Sequence, residues 1–257
     1  MNWAEIFDWP GFTGEIQTIP KQAFLIQDRI TSAEKKILQG KEVQSISLLH
    51  ALKRSNSNVP EYENDVESYR EIFFIQIVIL ESVYEKYYKP VSRLVHKLLP
   101  HHCLIITRAD DHSCQHISLY TKTIHPHQPD VRVLGEKTMT EGCIDSSSPL
   151  WEVLSFAETD NLDLRNLYSY YQRAIQNYNL ISLTGSFRLR CEEQTGELLL
   201  LQSNIREAES RIRSLRTQLK KETQMRERVR INTEIYHWKT QTEEWKKMMK
   251  NILAEES

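Results

Sequence analysis

Seven histidines, His96, His101, His102, His112, His116, His125 and His127, fall within 32 residues, with Cys103 and Cys114 among them. Zinc usually takes four nitrogen and sulfur ligands in a tetrahedral array, presented as paired C-x2-C or H-x3-H units. On a strand, His112, Cys114 and His116 would share one face, because side chains alternate sides with a period of two. That spacing belongs to no established zinc pattern. The other reading is a set of solvated loop histidines beside a strand cysteine, so no metal ligand is assigned.

Carboxylates offer a second chemistry. A metal-dependent nuclease needs a carboxylate on one strand and an acidic residue with a lysine on the next, to hold the ion and activate water. Asp65 and Glu71 supply the acids, but the run Phe73, Phe74, Ile75, Gln76, Ile77 has no lysine. No nucleophile elbow, phosphate loop or dinucleotide fingerprint is present. Thr184-Gly185-Ser186 and Thr195-Gly196-Glu197 hold too little glycine to cradle a phosphate and read as turns. No catalytic residue and no cofactor is expected.

Charge is the third. Arg211, Arg213, Arg216, Lys220, Lys221, Arg226, Arg228 and Arg230 face only Glu222 and Glu227 across twenty residues, a local +6. Such a cluster on a helical tip neutralises backbone phosphates with a salt-dependent affinity and reads no base sequence. A solvated helical face, or one matched to an acidic partner helix, has the same composition.

These groups must be held by a chain of 257 residues, enough for one domain plus an appendage or for two small domains. Hydrophobic residues are 40% and charged residues 26%, with 7 Gly and 8 Pro, an ordered composition that favours long helices. The net charge of −2 conceals a division: residues 197–257 carry 13 Lys and Arg against 10 Asp and Glu, which leaves the first 196 residues near −5. Four irregularly spaced cysteines, Cys103, Cys114, Cys143 and Cys191, point to free thiols in a reducing cytoplasm. Residues 1–10 are acidic and aromatic, unlike a secretory leader. The apolar run 72–80 is far shorter than the roughly 20 residues of a membrane span.

A helix is predicted over 31–39, with Thr31 or Ser32 as cap and Gly40 as a left-handed stop. Residues 43–52 alternate as a strand, 54–58 form a surface loop, and EIFFIQIVIL at 71–80 is apolar on both parities, as a strand buried on two faces must be. A helix from Pro90 to before Pro100 follows, then strands at 103–107 and 115–124. Residues 125–148, with two prolines and two glycines, read as a long connection. Residues 151–179 turn helical again, and the aromatic stretch 3–19 reads as a cap over the domain edge. Gly185 and Gly196 bracket a hinge.

Beyond Glu197 there is neither Gly nor Pro. Leu201, Ile205, Ala208, Ile212, Leu215 and Leu219 repeat at four and three, and Ile231, Ile235, Trp238, Thr242, Trp245, Met249 and Ile252 repeat the pattern two residues out of phase. A helical hairpin turning within 222–230 accommodates the break; one long helix with a skip is the other solution. The fold class is therefore α/β or α+β, a small mixed sheet flanked by helices over residues 1–185, followed by a basic coiled-coil hairpin over 186–257.

Ile19-Pro20-Lys21, Glu71-Ile72, Leu98-Leu99-Pro100, Ser118-Leu119-Tyr120-Thr121-Lys122 and, later, Glu222, Gln224, Arg228-Val229, Ile231-Asn232 and Glu234-Ile235 resemble an uncharacterised bacterial and archaeal family of unknown function. That family is typically encoded beside SNF2-type helicases and type III-like DNA methyltransferases in defence islands. The resemblance covers nearly the whole chain and brings no catalytic residue with it; the acidic loop before Glu71 and the histidine-rich segment depart from its pattern. It implies an accessory subunit of an antiphage or restriction-like system acting on DNA; the missing catalytic constellation makes the expected subunit non-enzymatic, and the cysteines make it cytoplasmic. The α/β domain would dock on the helicase or methyltransferase. Leu201, Ile205, Ile212, Leu215, Leu219, Ile235, Trp238 and Trp245 would meet a partner helix or a second copy, and the eight cations from Arg211 to Arg230 would touch DNA backbone. The alternative is a metal-dependent nuclease or hydrolase subunit of the same system. No membrane partner is expected.

Overall fold

The apolar run at residues 71–79 becomes the centre of a six-stranded sheet, as burial on both faces requires. A computed structural model describes residues 2–254, and the chain divides at Asn179 and Leu180 into two compact units. The first contains α1 (Trp3–Phe7), β1 (Gln17–Thr18), α2 (Gln22–Leu25), α3 (Ser32–Gln39), β2 (Val43–Lys53), α4 (Arg54–Ser57), β3 (Tyr62–Glu63), β4 (Ser68–Tyr69) and β5 (Glu71–Ile79). It continues with α5 (Tyr84–Leu98), β6 (His102–Ala109), β7 (Gln115–His125), β8 (Gln128–Met139), α6 (Leu150–Val153) and α7 (Leu164–Asn179). The second contains α8 (Ile181–Thr184), α9 (Glu192–Lys221) and α10 (Met225–Ala254).

The sheet runs β1-β2-β5-β6-β7-β8. Every neighbouring pair is antiparallel except β5 and β6, which are parallel and joined through α5. One face packs Ile75, Ile77, Ile79, Cys103 and Ile105 against Val91, Leu94 and Val95 of α5, with Phe24 and Leu38 from α2 and α3. On the other face Phe74 meets Phe7, Trp9 and Tyr171 of α7. The N-terminal aromatics thus cover a face of the sheet, not its edge.

Several local features differ from expectation. The capping box of α3 is present, Thr31 and Glu34 each accepting from the other's backbone N–H, but Gly40 ends the helix in extended backbone at φ −60°. Pro90 lies well inside α5, which starts at Tyr84. It and Lys86, whose carbonyl loses its helical partner, are exposed, so water can take that bond. Residues 54–57 form a short helix. The largest correction is β8: a twelve-residue strand occupies part of the expected connection and pairs with β7. Gly135 lets it approach, since a Cβ there would collide with Thr121 Oγ1, which accepts from Glu136 N at 2.8 Å.

In the second unit α9 and α10 pack as a hairpin. Its turn is only residues 222–224, and a carboxylate builds it: Glu222 accepts from Thr223 N and Gln224 N at 2.8 Å each. Gly196 lies inside α9, not at a hinge, while Gly185 (φ +78°) caps α8. Among the described residues no helix is long and apolar enough to cross a membrane.

Candidate functional site

The apolar seams of α9 and α10 face each other. Ile212 and Leu215 are buried with Ile231 and Ile235, flanked by Leu219 and Trp238. Ile205 and Leu198 are buried with Met249, flanked by Leu201 and Trp245. The eight residues expected to receive a partner helix therefore form the inside of the hairpin, where each helix covers the other.

The cations lie outside. Arg211, Arg213, Arg216, Lys220, Lys221, Arg226, Arg228 and Arg230 are all exposed around the tip. Arg230 pairs with Glu227, Arg211 lies 3.4 Å from Glu234, and Arg228 donates to Glu222 O. Arg213, Arg216, Lys220, Lys221 and Arg226 have no ion-pair partner among the described residues. Sequence reading confined the patch to the tip, but the structure extends it. Two adjoining grooves of about 480 and 560 Å³ along the hairpin share Glu209, Glu243 and Lys246. Their walls add Lys239, Lys247, Lys250 and Arg206 to Arg213 and Arg216. Two carboxylates stand against seven cations there, and one of the two, Glu243, is paired with Lys246. Lys239, Lys246, Lys247 and Lys250 recur at helical spacing in α10, the signal that could have been found.

The histidines of the α/β unit do not form one centre. His112 sits in a turn at φ +66°, exposed and 2.7 Å from Arg108. His125 and His127 mark the far end of β7. The inward residues of β7 instead build a polar seam beneath α5. His116 Nδ1 lies 2.9 Å from Tyr84 Oη, Ser118 Oγ is bonded to Ser92 and lies 3.2 Å from His96 Nε2, and Lys122 donates to the carbonyls of Leu99 and His101. Burial, with the nearby charge of Lys89, pushes His116 down to about 4, and burial holds His96 well below its ordinary value.

Free thiols were expected; Cys114 and Cys143 are instead joined in a disulfide, while Cys103 and Cys191 are free. The loop leaving β8 causes this. Thr140 N donates to Ile117 O and Ile144 N to Gln115 O, so residue 143 is laid beside residue 114 with 5.1 Å between Cα atoms. Cys114, His116 and Cys143 are the one grouping of metal-donor side chains among the described residues. Asp65 and Glu71 form no such group. Asp65 is exposed in the turn between β3 and β4, and Glu71 is engaged by His101 at 3.0 Å. Glu71 also borders an open cleft of about 670 Å³ with Lys53, Arg54, Glu61 and Arg70. Arg70 there is neutralised by Glu63, so this cleft lacks the charge imbalance of the hairpin.

No curated protein and no solved structure matches the chain. A family model described as a domain of unknown function (DUF4391) matches residues 7–241, and so spans both the sheet and most of the hairpin. The chain belongs to that family.

Proposed function

We propose that this protein is a non-enzymatic accessory subunit of a bacterial antiphage or restriction-like complex, in which the basic hairpin holds nucleic-acid backbone and the α/β unit docks on a helicase or methyltransferase. The observation that carries the proposal is the charge imbalance along one face of the hairpin: seven cations line its grooves against Glu209 and Glu243. Lysine and arginine set along a groove attract phosphate through counterion release, without base contacts, so affinity falls steeply with salt. Because the apolar seams are consumed within the hairpin, protein docking falls to the α/β unit.

Fluorescence anisotropy with a duplex DNA probe at rising salt tests this reading. The expected result is a linear fall of log affinity with log salt, together with at least a tenfold loss for the Arg213→Glu, Arg216→Glu, Lys246→Glu triple variant at constant salt. Absence of binding at low salt, or equal binding by the triple variant, overturns it. Co-purification with helicase or methyltransferase subunits encoded alongside tests the docking half, and a chain that retains none of them overturns that half alone.

A further inference from the structure

Cys114, His116 and Cys143 each present a donor atom within 4.8 Å of the others. Cys114 and His116 are two residues apart and so lie on the same side of the β7 chain, both buried. Cys143 arrives from the loop after β8 and is exposed. Backbone bonds hold the arrangement together: Thr140 N to Ile117 O at 3.0 Å, Ile144 N to Gln115 O at 2.9 Å, and Ile117 N to Thr140 Oγ1 at 3.1 Å. Breaking the sulfur–sulfur bond therefore leaves three donors in place on a preformed ladder.

His116 Nδ1 lies 3.8 Å from Cys114 Sγ, so this nitrogen faces the sulfurs. Tyr84 Oη, 2.9 Å from His116 Nδ1, donates to Thr107 O at 2.9 Å, and the Tyr88 ring stacks on the imidazole with centroids 4.0 Å apart. The stacking fixes the plane of the ring, while Nδ1 is shared between Tyr84 Oη and Cys114 Sγ.

The geometry points to a zinc site in the reduced chain, formed by the thiolates of Cys114 and Cys143 and the imidazole of His116, with the fourth position open to solvent on the Cys143 side. Two sulfurs and one nitrogen suit zinc, which accepts tetrahedral coordination without redox change of its own. Binding displaces the two thiol protons into solvent. The disulfide is the oxidised counterpart of the same site. With a peroxide as oxidant, the two thiolates give up two electrons and form the sulfur–sulfur bond. The peroxide takes those electrons and two protons to leave as two waters, and the metal ion is released. The site stands in the α/β unit and does not depend on the reading of the hairpin.

The test uses the full chain, reduced anaerobically with a phosphine and titrated with cobalt(II) and then zinc(II). One equivalent of cobalt per chain is expected, with a thiolate-to-metal charge-transfer band that zinc abolishes and hydrogen peroxide removes as the disulfide re-forms. Cys143→Ser, in an exposed loop, and His116→Ala should each weaken binding at least tenfold, while Cys191→Ser should not. A reduced wild-type chain with no charge-transfer band overturns the proposal. So does a band of unchanged strength in Cys143→Ser, which stays decisive even if His116→Ala fails to fold.

Discussion

Lys122 Nζ lies 2.8 Å from the carbonyl oxygen of Leu99, the residue that caps the C-terminal end of α5. The ammonium is nearly free of water and also donates to His101 O, so a cation sits where the last carbonyls of a helix lack partners and the helix dipole is negative. Replacing Lys122 with Met should cost at least about 2 kcal/mol, since buried acceptors left without a donor cost about 1–3 kcal/mol each. A lower denaturant midpoint with unchanged slope is the expected measurement.

Acid should weaken the α/β unit through His102. Burial, aided by Lys122 and Arg132, pushes its pKa down to about 3 from an ordinary 6.5. The folded chain keeps the ring neutral, while the unfolded chain takes a proton below 6.5. Stability is therefore whole above that value and is lost as pH falls towards 3, at about 1.4 kcal/mol per pH unit. Denaturant unfolding between about pH 7 and about pH 4 should show this slope, reduced in His102→Phe.

Leu215 is 4% exposed within the hairpin seam. Truncation to Ala should cost about 2–5 kcal/mol, the range for a leucine deleted from a closed core. Hydrogen exchange should localise the loss to amides of α9 and α10 around Leu215, Ile231 and Ile235; an unchanged exchange profile would mean that the seam contributes little.

Single charge removals at the tip should be graded. Arg213→Ala and Lys221→Ala, each removing an exposed cation without an ion-pair partner, should lower the salt slope of duplex DNA binding by about 0.9 per lost phosphate contact. Arg230→Ala should lower it less, because that guanidinium already holds Glu227.

What the residues disclosed follows from how strongly each pattern was constrained. A strand apolar on both parities could be only β5, and the two out-of-phase seams fitted a reversal or one long helix with a skip, between which the packing of α9 on α10 decides. Glu222 supplied that reversal with a carboxylate in place of glycine, which is why its position was blurred. β8 escaped because an edge strand tolerates polar residues, Pro129 and Gly135, the same residues that mark a loop. Without β8 nothing in the sequence brings residues 114 and 143 together, so the cysteines read as separate thiols. The basic face of α10 was overlooked because its lysines are spread across four turns, and only packing against α9 gathers them into a groove.

The parallel ladder between β5 and β6 also dictates how the sheet can assemble. On one side β2 and β5 form from nearby sequence, and on the other β6, β7 and β8 form a meander of short connections. Only the crossover through α5 joins the halves, and its pairing of Ile72 with His102 carries the loop-closure cost of bringing distant segments together. Substitutions that loosen the Val91, Leu94 and Val95 contacts should slow refolding, whereas those confined to β8 should chiefly speed unfolding.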